Sequence, residues 1–178
     1  MNSKYIISPW SKRQLNDQGY CELSDPELRQ HRFGFRLAYA FCGGLVILGV
    51  ILKNQAILLL ALGTAILGML PPYHPVDYLY NYGIRFLIGR PKLPHRPPQG
   101  RFACFMGTSM LILITYFFYK GNFTLVYIVS AAMLTSTSLV SFIDFCIPSK
   151  IYNALFRKRT RAGKASERQI ESEFSGII

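Results

Sequence analysis

Four long, nearly uncharged runs of apolar residues limit the folds that this chain can adopt. They cover residues 37–52, 56–70, 102–119 and 123–147. A helix rises about 1.5 Å per residue, so roughly 20 apolar residues cross the ~30 Å hydrocarbon core of a bilayer. The third and fourth runs are long enough, the first is too if Arg36 extends its guanidinium to the headgroups, and the second is short. We therefore predict an all-α integral membrane protein with four transmembrane helices.

Composition favours a membrane protein over other classes. Hydrophobic residues make up 51% of the 178 residues and charged residues 16%, whereas about a quarter of a typical soluble domain is charged. Disorder requires low hydrophobicity, which excludes it for the body of the chain. The four cysteines are scattered without a C-x-x-C pair, so a secreted disulfide scaffold is excluded as well. The remaining alternative is a soluble all-helical protein with an unusually apolar core.

The basic residues indicate how the chain is oriented in the membrane. Of the 20 lysines and arginines, only Lys53 and Lys120 lie in the short connections after the first and third apolar runs. The positive-inside rule then places both termini and the central loop in the cytoplasm. The net charge of +11 is thus mainly a topology signal. It predicts contact between the basic tail and anionic lipid, and no nucleic-acid partner.

The order of features along the chain predicts an internal repeat. Arg32-Phe33 opens the first copy and Arg101-Phe102 opens the second. Tyr80-Asn81, after the second run, matches Tyr152-Asn153, after the fourth. The second and fourth runs also carry stripes of small residues at i, i+4 and i+7, which allow close helix approach in lipid. These packing stripes are Ala61, Ala65 and Gly68, and Ala131, Thr135 and Ser138. We expect the stripes to face each other or the neighbouring hairpin.

The repeat divides the chain into five segments. Each copy would form a helical hairpin followed by a short helix at the membrane interface. Ser24 and Glu27 have the spacing of a helix start. We expect the polar arms at both ends to grip a neighbouring protein. The segments are a polar N-terminal cytoplasmic segment (1–30), the first hairpin with its interfacial helix (31–90), a proline-rich linker (91–100), the second hairpin with its interfacial helix (101–157) and a basic, polar cytoplasmic tail (158–178).

At these features the sequence resembles a bacterial membrane family called domain of unknown function 4395. The family pattern has R-F openings, a P-x-x-x-x-Y turn, a proline-rich linker and a C-x-x-C-x-x-Y ending, and the resemblance covers about residues 31–156. Here the ending reads Cys146-Ile-Pro-Ser149-Lys-Ile-Tyr152, with serine as the second residue of the pair. The resemblance implies a four-span protein of the bacterial inner membrane, and the serine argues against dithiol chemistry.

The internal correspondence aligns His74 with Cys146 and Asp77 with Ser149. If the copies are related by a two-fold axis, these residues could meet at the cytoplasmic end, and Asp144 could join them. Imidazole, carboxylate and thiol are ligands for a soft or borderline metal ion, so we predict His74, Asp77 and Cys146 as a metal site. The alternative is that these side chains cap helix ends and that cysteine is an apolar filler, which is also our interpretation of Cys42 and Cys104.

No motif for nucleotide binding, zinc hydrolysis or serine hydrolysis occurs in the sequence. We therefore expect a non-enzymatic protein without a cofactor, acting as an accessory or scaffold subunit of an inner-membrane assembly. Its partners would be the lipid bilayer and other membrane subunits, or further copies of itself. The alternative function is a carrier of a metal ion or reduced-sulfur species that uses Cys146 and His74.

Overall fold

The computed structural model describes residues 7–71 and 73–157, and every regular element within these ranges is helical. The elements are α1 (Pro9–Asp17), α2 (Asp25–Ile51), α3 (Gln55–Met69), α4 (Pro75–Leu79), a π-helical turn (Tyr80–Ile84), α5 (Arg85–Ile88), α6 (Pro98–Tyr119), α7 (Phe123–Ile143), α8 (Ile147–Tyr152) and a second π-helical turn (Asn153–Arg157). The predicted all-α class is confirmed. The predicted basic tail, 158–178, lies outside the described residues.

Three of the described helices are long and apolar enough to cross a membrane. They are α2, with 27 residues, α6, with 22, and α7, with 21. The remaining predicted span corresponds to α3, an apolar helix of 15 residues. At 1.5 Å per residue α3 is about 22 Å long, which is shorter than a ~30 Å hydrocarbon core. It ends at Met69, with Leu70 as its C-cap, because Pro71 has no N–H with which to continue the helix.

The four long helices form a ring in which each packs against two others. Helix α3 lies against α2 and α6, and α7 also lies against α2 and α6. The centre of the ring holds fully buried aliphatic side chains: Val46, Leu58, Leu111, Ile114 and Val126. Lipid tails are as apolar as these side chains, so close packing rather than exclusion of water holds such a ring together inside a bilayer.

The N-terminal segment packs against its own chain. The ring of Tyr20 stacks on that of Phe35, with centroids 3.9 Å apart, and Leu15 and Leu28 are buried in the same cluster. The indole nitrogen of Trp10 donates a hydrogen bond to the last carbonyl of α7, at 3.2 Å. The described part of the N-terminal arm therefore packs on the protein's own helices.

Two helix starts define the segments differently from the prediction. The Ser24 amide donates to the Glu27 carboxylate at 2.8 Å, which confirms the predicted start and begins α2 ahead of residue 31. Helix α6 begins at Pro98, because proline fits the first helical position, so the linker ends earlier than predicted. Leu93 and Arg96 within the linker are buried, so the linker packs on the bundle.

Arginines from two helices cap the carboxyl ends of two others. Arg36 on α2 donates to the Phe142 carbonyl at 2.9 Å, near the end of α7. Arg101 on α6 donates to the carbonyls of Met69 and Leu70 at 3.1 and 3.0 Å, at the end of α3. These carbonyls have no partner within their own helices, so the arginines satisfy them. Arg36 is thus held at the end of α7.

Candidate functional site

The short helices α4 and α8 begin with polar pairs of equal spacing. His74 is the N-cap of α4 and Asp77 is its third residue. Cys146 is the N-cap of α8 and Ser149 is its third residue. Each short helix then continues into a π-helical turn. The four residues aligned by the internal correspondence therefore occupy equivalent positions at two helix starts.

His74 is almost fully buried and uses both ring nitrogens. Its Nδ1 accepts a hydrogen bond from the Val76 amide at 3.2 Å, and its Nε2 lies 3.9 Å from the Cys42 sulfur. Burial and the Arg96 guanidinium lower the pKa of His74 to about 3, so the ring is neutral. Because Nδ1 accepts, the proton of the neutral ring is assigned to Nε2, which points toward Cys42. Gly68 leaves the space for this ring, since a Cβ there would overlap it.

Asp77 forms a buried ion pair with Arg96 of the linker. The guanidinium donates from Nη2 to Oδ1 at 2.9 Å and from Nε to Oδ2 at 3.2 Å. The His74 amide also donates to Oδ2, at 2.9 Å. The two charged side chains are 5% and 6% exposed, so water screens their attraction little. The guanidinium Nη1 donates to the Cys104 sulfur at 3.5 Å, so the ion pair also fixes a donor beside a thiol.

Cys146 lines a cavity of about 190 Å³ within the bundle. The polar and thiol side chains around this cavity include Cys42, Cys104, Cys146, His74 and Arg96. Burial raises the pKa of the Cys146 thiol, although the hydroxyl and amide of Ser149 partly oppose the shift. The thiol is therefore protonated near neutral pH. The cavity brings together residues that are far apart in sequence, and its chemistry is dominated by sulfur.

The three predicted metal ligands do not form one ligand set. Across 7–71 and 73–157, no three histidine, cysteine, aspartate or glutamate side chains are grouped closely enough to hold a metal ion. Both oxygens of Asp77 accept other hydrogen bonds, and Nδ1 of His74 accepts one from the first turn of α4. In this arrangement His74 and Asp77 stabilise a helix start and an ion pair, and Cys146 faces the cavity, which His74 also lines.

Asp144 forms a separate buried acidic centre at the end of α7. It accepts hydrogen bonds from Arg32 at 2.8 Å, Arg36 at 2.6 Å and the Ser11 hydroxyl at 2.8 Å. Burial by itself would raise the pKa of this carboxyl, but the hydrogen bonds from Arg36, Arg32 and Ser11 outweigh it and lower the pKa. Asp144 therefore stays ionised and ties α1 and α2 to α7, and it does not line the cavity.

The two packing stripes face different environments. The buried stripe of α3 consists of Ala61, Ala65 and Gly68. The stripe of α7 consists of Ala131, Thr135 and Ser138, all exposed on the outer surface. The inward face of α7 instead carries Met133 and Val140, which are buried. The stripe of α7 therefore does not face the stripe of α3 as expected, because the larger apolar side chains of α7 fill the space inside the ring.

Sequence reasoning did not group Cys42, Cys104 and Arg96 with the site. The sequence predicts core packing for the two cysteines and only a topology role for the arginine. They lie on α2, on α6 and in the linker, so the packing of the ring rather than any spacing brings them together. The sequence offers one signal, which is the arginine within the proline-rich linker. If such a segment packs on a bundle, its buried charge needs a partner.

Comparison with known proteins identifies a family and nothing more specific. No curated protein and no solved structure matches the chain. The family model described as Domain of unknown function (DUF4395) matches residues 32–157. This range includes the four long helices except for the first turns of α2, and it contains every residue named above as lining the cavity. The match covers well over half of the chain, which therefore belongs to the DUF4395 family.

Proposed function

We propose that the protein crosses the bacterial inner membrane four times, through α2, α3, α6 and α7, with both termini in the cytoplasm. The position of all basic residues except Lys53 and Lys120 supports this orientation. Local thinning of the bilayer would let the short α3 cross. Reporter fusions at Lys53 and Lys120 should report the outside, and a fusion after Arg157 should report the cytoplasm. A tail found outside would contradict the topology.

The proposal includes two tandem copies, each a hairpin followed by a short interfacial helix. Two parallels support the duplication: the N-caps His74 and Cys146, and the π-helical turns after α4 and α8. The copies would share one orientation, which implies a pseudo-two-fold axis along the membrane normal. Contact of the basic tail, 158–178, with anionic lipid is also part of the proposal.

Within the membrane the protein acts as a non-enzymatic accessory or scaffold subunit that packs on a larger partner or on a second copy. The observation that carries this proposal is the exposed small-residue stripe of α7 (Ala131, Thr135 and Ser138). The Thr135 hydroxyl donates to the Ala131 carbonyl at 2.8 Å, so it is satisfied within its own helix. Small residues let another helix approach closely in lipid, and the ring itself leaves this face unused.

The variant Thr135→Leu tests this role. Leucine should weaken association, because its side chain prevents close helix approach. Ala40→Leu, at an exposed position of α2, is the matched control and should leave association unchanged. Crosslinking in native membranes, followed by size exclusion with light scattering, measures the assembly. A wild-type protein that is monomeric by both measurements contradicts the proposal. Ala65→Leu tests the fold instead, because Ala65 is buried in the ring.

A second candidate function is to carry a thiol-reactive solute, such as a metal ion or a reduced-sulfur species. It is supported by the cavity, where Cys146 and His74 lie with two further thiols. Cys146→Ala should remove the solute without changing assembly, whereas Cys21→Ala should keep it, because Cys21 is exposed elsewhere. The metal and sulfane-sulfur content of the purified protein measures the solute. If the metal and sulfane-sulfur content is the same in both variants and in the wild type, the protein does not carry such a solute through Cys146.

A further inference from the structure

Most of the sulfur in this chain lines one cavity. The chain has four cysteines and five methionines, and six of these nine side chains surround the 190 Å³ space. They are Cys42, Cys104, Cys146, Met106, Met110 and Met133. They come from α2, α6, α7 and the start of α8, so the folded ring and not a local repeat concentrates them. Thiolate and thioether groups are soft ligands, which favour Cu⁺, zinc and iron–sulfur clusters over harder metal ions.

We propose that this cavity binds a soft monovalent metal ion of the Cu⁺ class as cargo, through two or three of its sulfur atoms. The inference rests on the second candidate function and names its solute. It also replaces the predicted ligand set, because the sulfur of Cys42, Cys104 and the methionines takes the place of the imidazole and the carboxylate.

The hydrogen bonds around the cavity favour sulfur ligands over a zinc-type set. His74 accepts at Nδ1, so its Nε2 carries a proton and is a donor rather than a ligand. Asp77 is held by Arg96 through both oxygens. Zinc sites use four nitrogen, sulfur or carboxylate ligands, and the described residues offer no group of even three. A Cu⁺ ion needs as few as two soft ligands and accepts thioethers, which this cavity supplies.

Two of the thiols already have N–H donors beside them. The Nε2 of His74 faces the Cys42 sulfur at 3.9 Å, and Nη1 of Arg96 donates to the Cys104 sulfur at 3.5 Å. Donors in such outer-shell positions stabilise the thiolate that a metal ion requires. For each thiol that binds, the S–H bond breaks, an S–Cu bond forms and one proton leaves to water, without any change of oxidation state.

The experiment titrates the full-length protein in detergent with Cu⁺, without oxygen, against a coloured Cu⁺ chelator. The wild type should take Cu⁺ from the chelator and keep it through desalting, and it should not keep Zn²⁺. Cys42→Ser and Cys104→Ser should each weaken Cu⁺ binding about a hundredfold or more, since loss of an outer-shell partner alone costs about 10–100-fold. Cys21→Ser, an exposed thiol outside the cavity, should bind as the wild type does.

Two additional measurements cover variants that fail to fold. Met106→Leu conserves volume and should weaken Cu⁺ binding, whereas Met69→Leu, outside the cavity, should not. In the wild type, Cu⁺ should protect the three cavity cysteines, but not Cys21, from alkylation. Binding that depends on Cys21, or equal binding in all cavity variants, overturns the inference. A protein whose Cys146 carries added sulfur but that does not bind Cu⁺ also overturns the inference, although the second candidate function is then retained. A protein that holds neither Cu⁺ nor added sulfur contradicts the second candidate function as well.

Discussion

Replacing Asp144 with asparagine tests the charge centre that joins α1 and α2 to α7. The carboxylate is 1% exposed and accepts hydrogen bonds from Arg32, Arg36 and Ser11. The substitution leaves two guanidinium groups without their counter-ion. Breaking a buried ion pair costs about 3–5 kcal/mol. The arginine side chains are 35% and 24% exposed and can regain water, so we expect the low end, about 3 kcal/mol.

Thermal unfolding in detergent measures this loss. In a chain of this size 1 kcal/mol shifts the midpoint by about 2–4 °C, so Asp144→Asn should unfold about 6–12 °C below the wild type. Asp25→Asn is the matched control, because it removes an exposed ion pair with Lys12 that is 2.6 Å long. Such a pair is worth less than about 1 kcal/mol. Equal midpoints for the two variants would refute the reasoning, since burial would then have no effect.

Further changes have equally defined outcomes in thermal unfolding. Gly68→Ala should cost about 1–3 kcal/mol, because the added methyl group overlaps the His74 ring. Gly63 lies on the same helix with open space beside it, so Gly63→Ala should leave the midpoint unchanged or higher. An equal loss of stability in both variants would show that the overlap with the His74 ring is unimportant. Arg96→Lys should cost about 1–3 kcal/mol, because lysine keeps the charge but cannot form both hydrogen bonds to the carboxylate. An unchanged midpoint would contradict that role. Finally, the lowered pKa of Asp144 means that its contribution is complete above the unfolded value of about 3.9 and is lost as the pH falls through the lower folded value. Wild-type stability should therefore decrease below about pH 4, and Asp144→Asn should lack that part of the pH dependence.

The long helices could be predicted because apolar runs are local properties of a sequence. Their ends depend on other interactions. Helix α2 begins at Asp25, within a polar stretch, because the Ser24–Glu27 pair stabilises its first turn. Helix α6 begins at Pro98, ahead of the apolar run, because proline fits the first turn. Hydropathy records the part of a helix that faces lipid or core, whereas capping decides where that helix begins.

The cavity could be predicted only in part. His74 and Cys146 were found because they hold equivalent positions in the two halves of the sequence, and the structure gives both the same place at a helix start. Cys42 and Cys104 join them only because α2, α6 and α7 pack in one order around the ring. The exposure of Thr135 has a similar origin, since the rotation of a helix about its axis depends on how its neighbours pack. Such three-dimensional order has no signature in residue spacing.

The capping arginines have a consequence for biosynthesis. The carbonyls of Met69 and Leu70 are made 32 and 31 residues before Arg101, so the end of α3 is made before its cap exists. The Phe142 carbonyl is made 106 residues after Arg36, so Arg36 is without this acceptor during most of translation. A ribosome-bound chain that ends in the linker therefore has an open helix end and an unpaired arginine. Such an intermediate lacks two contacts of the finished fold, and incompletely packed intermediates are the species on which chaperones act.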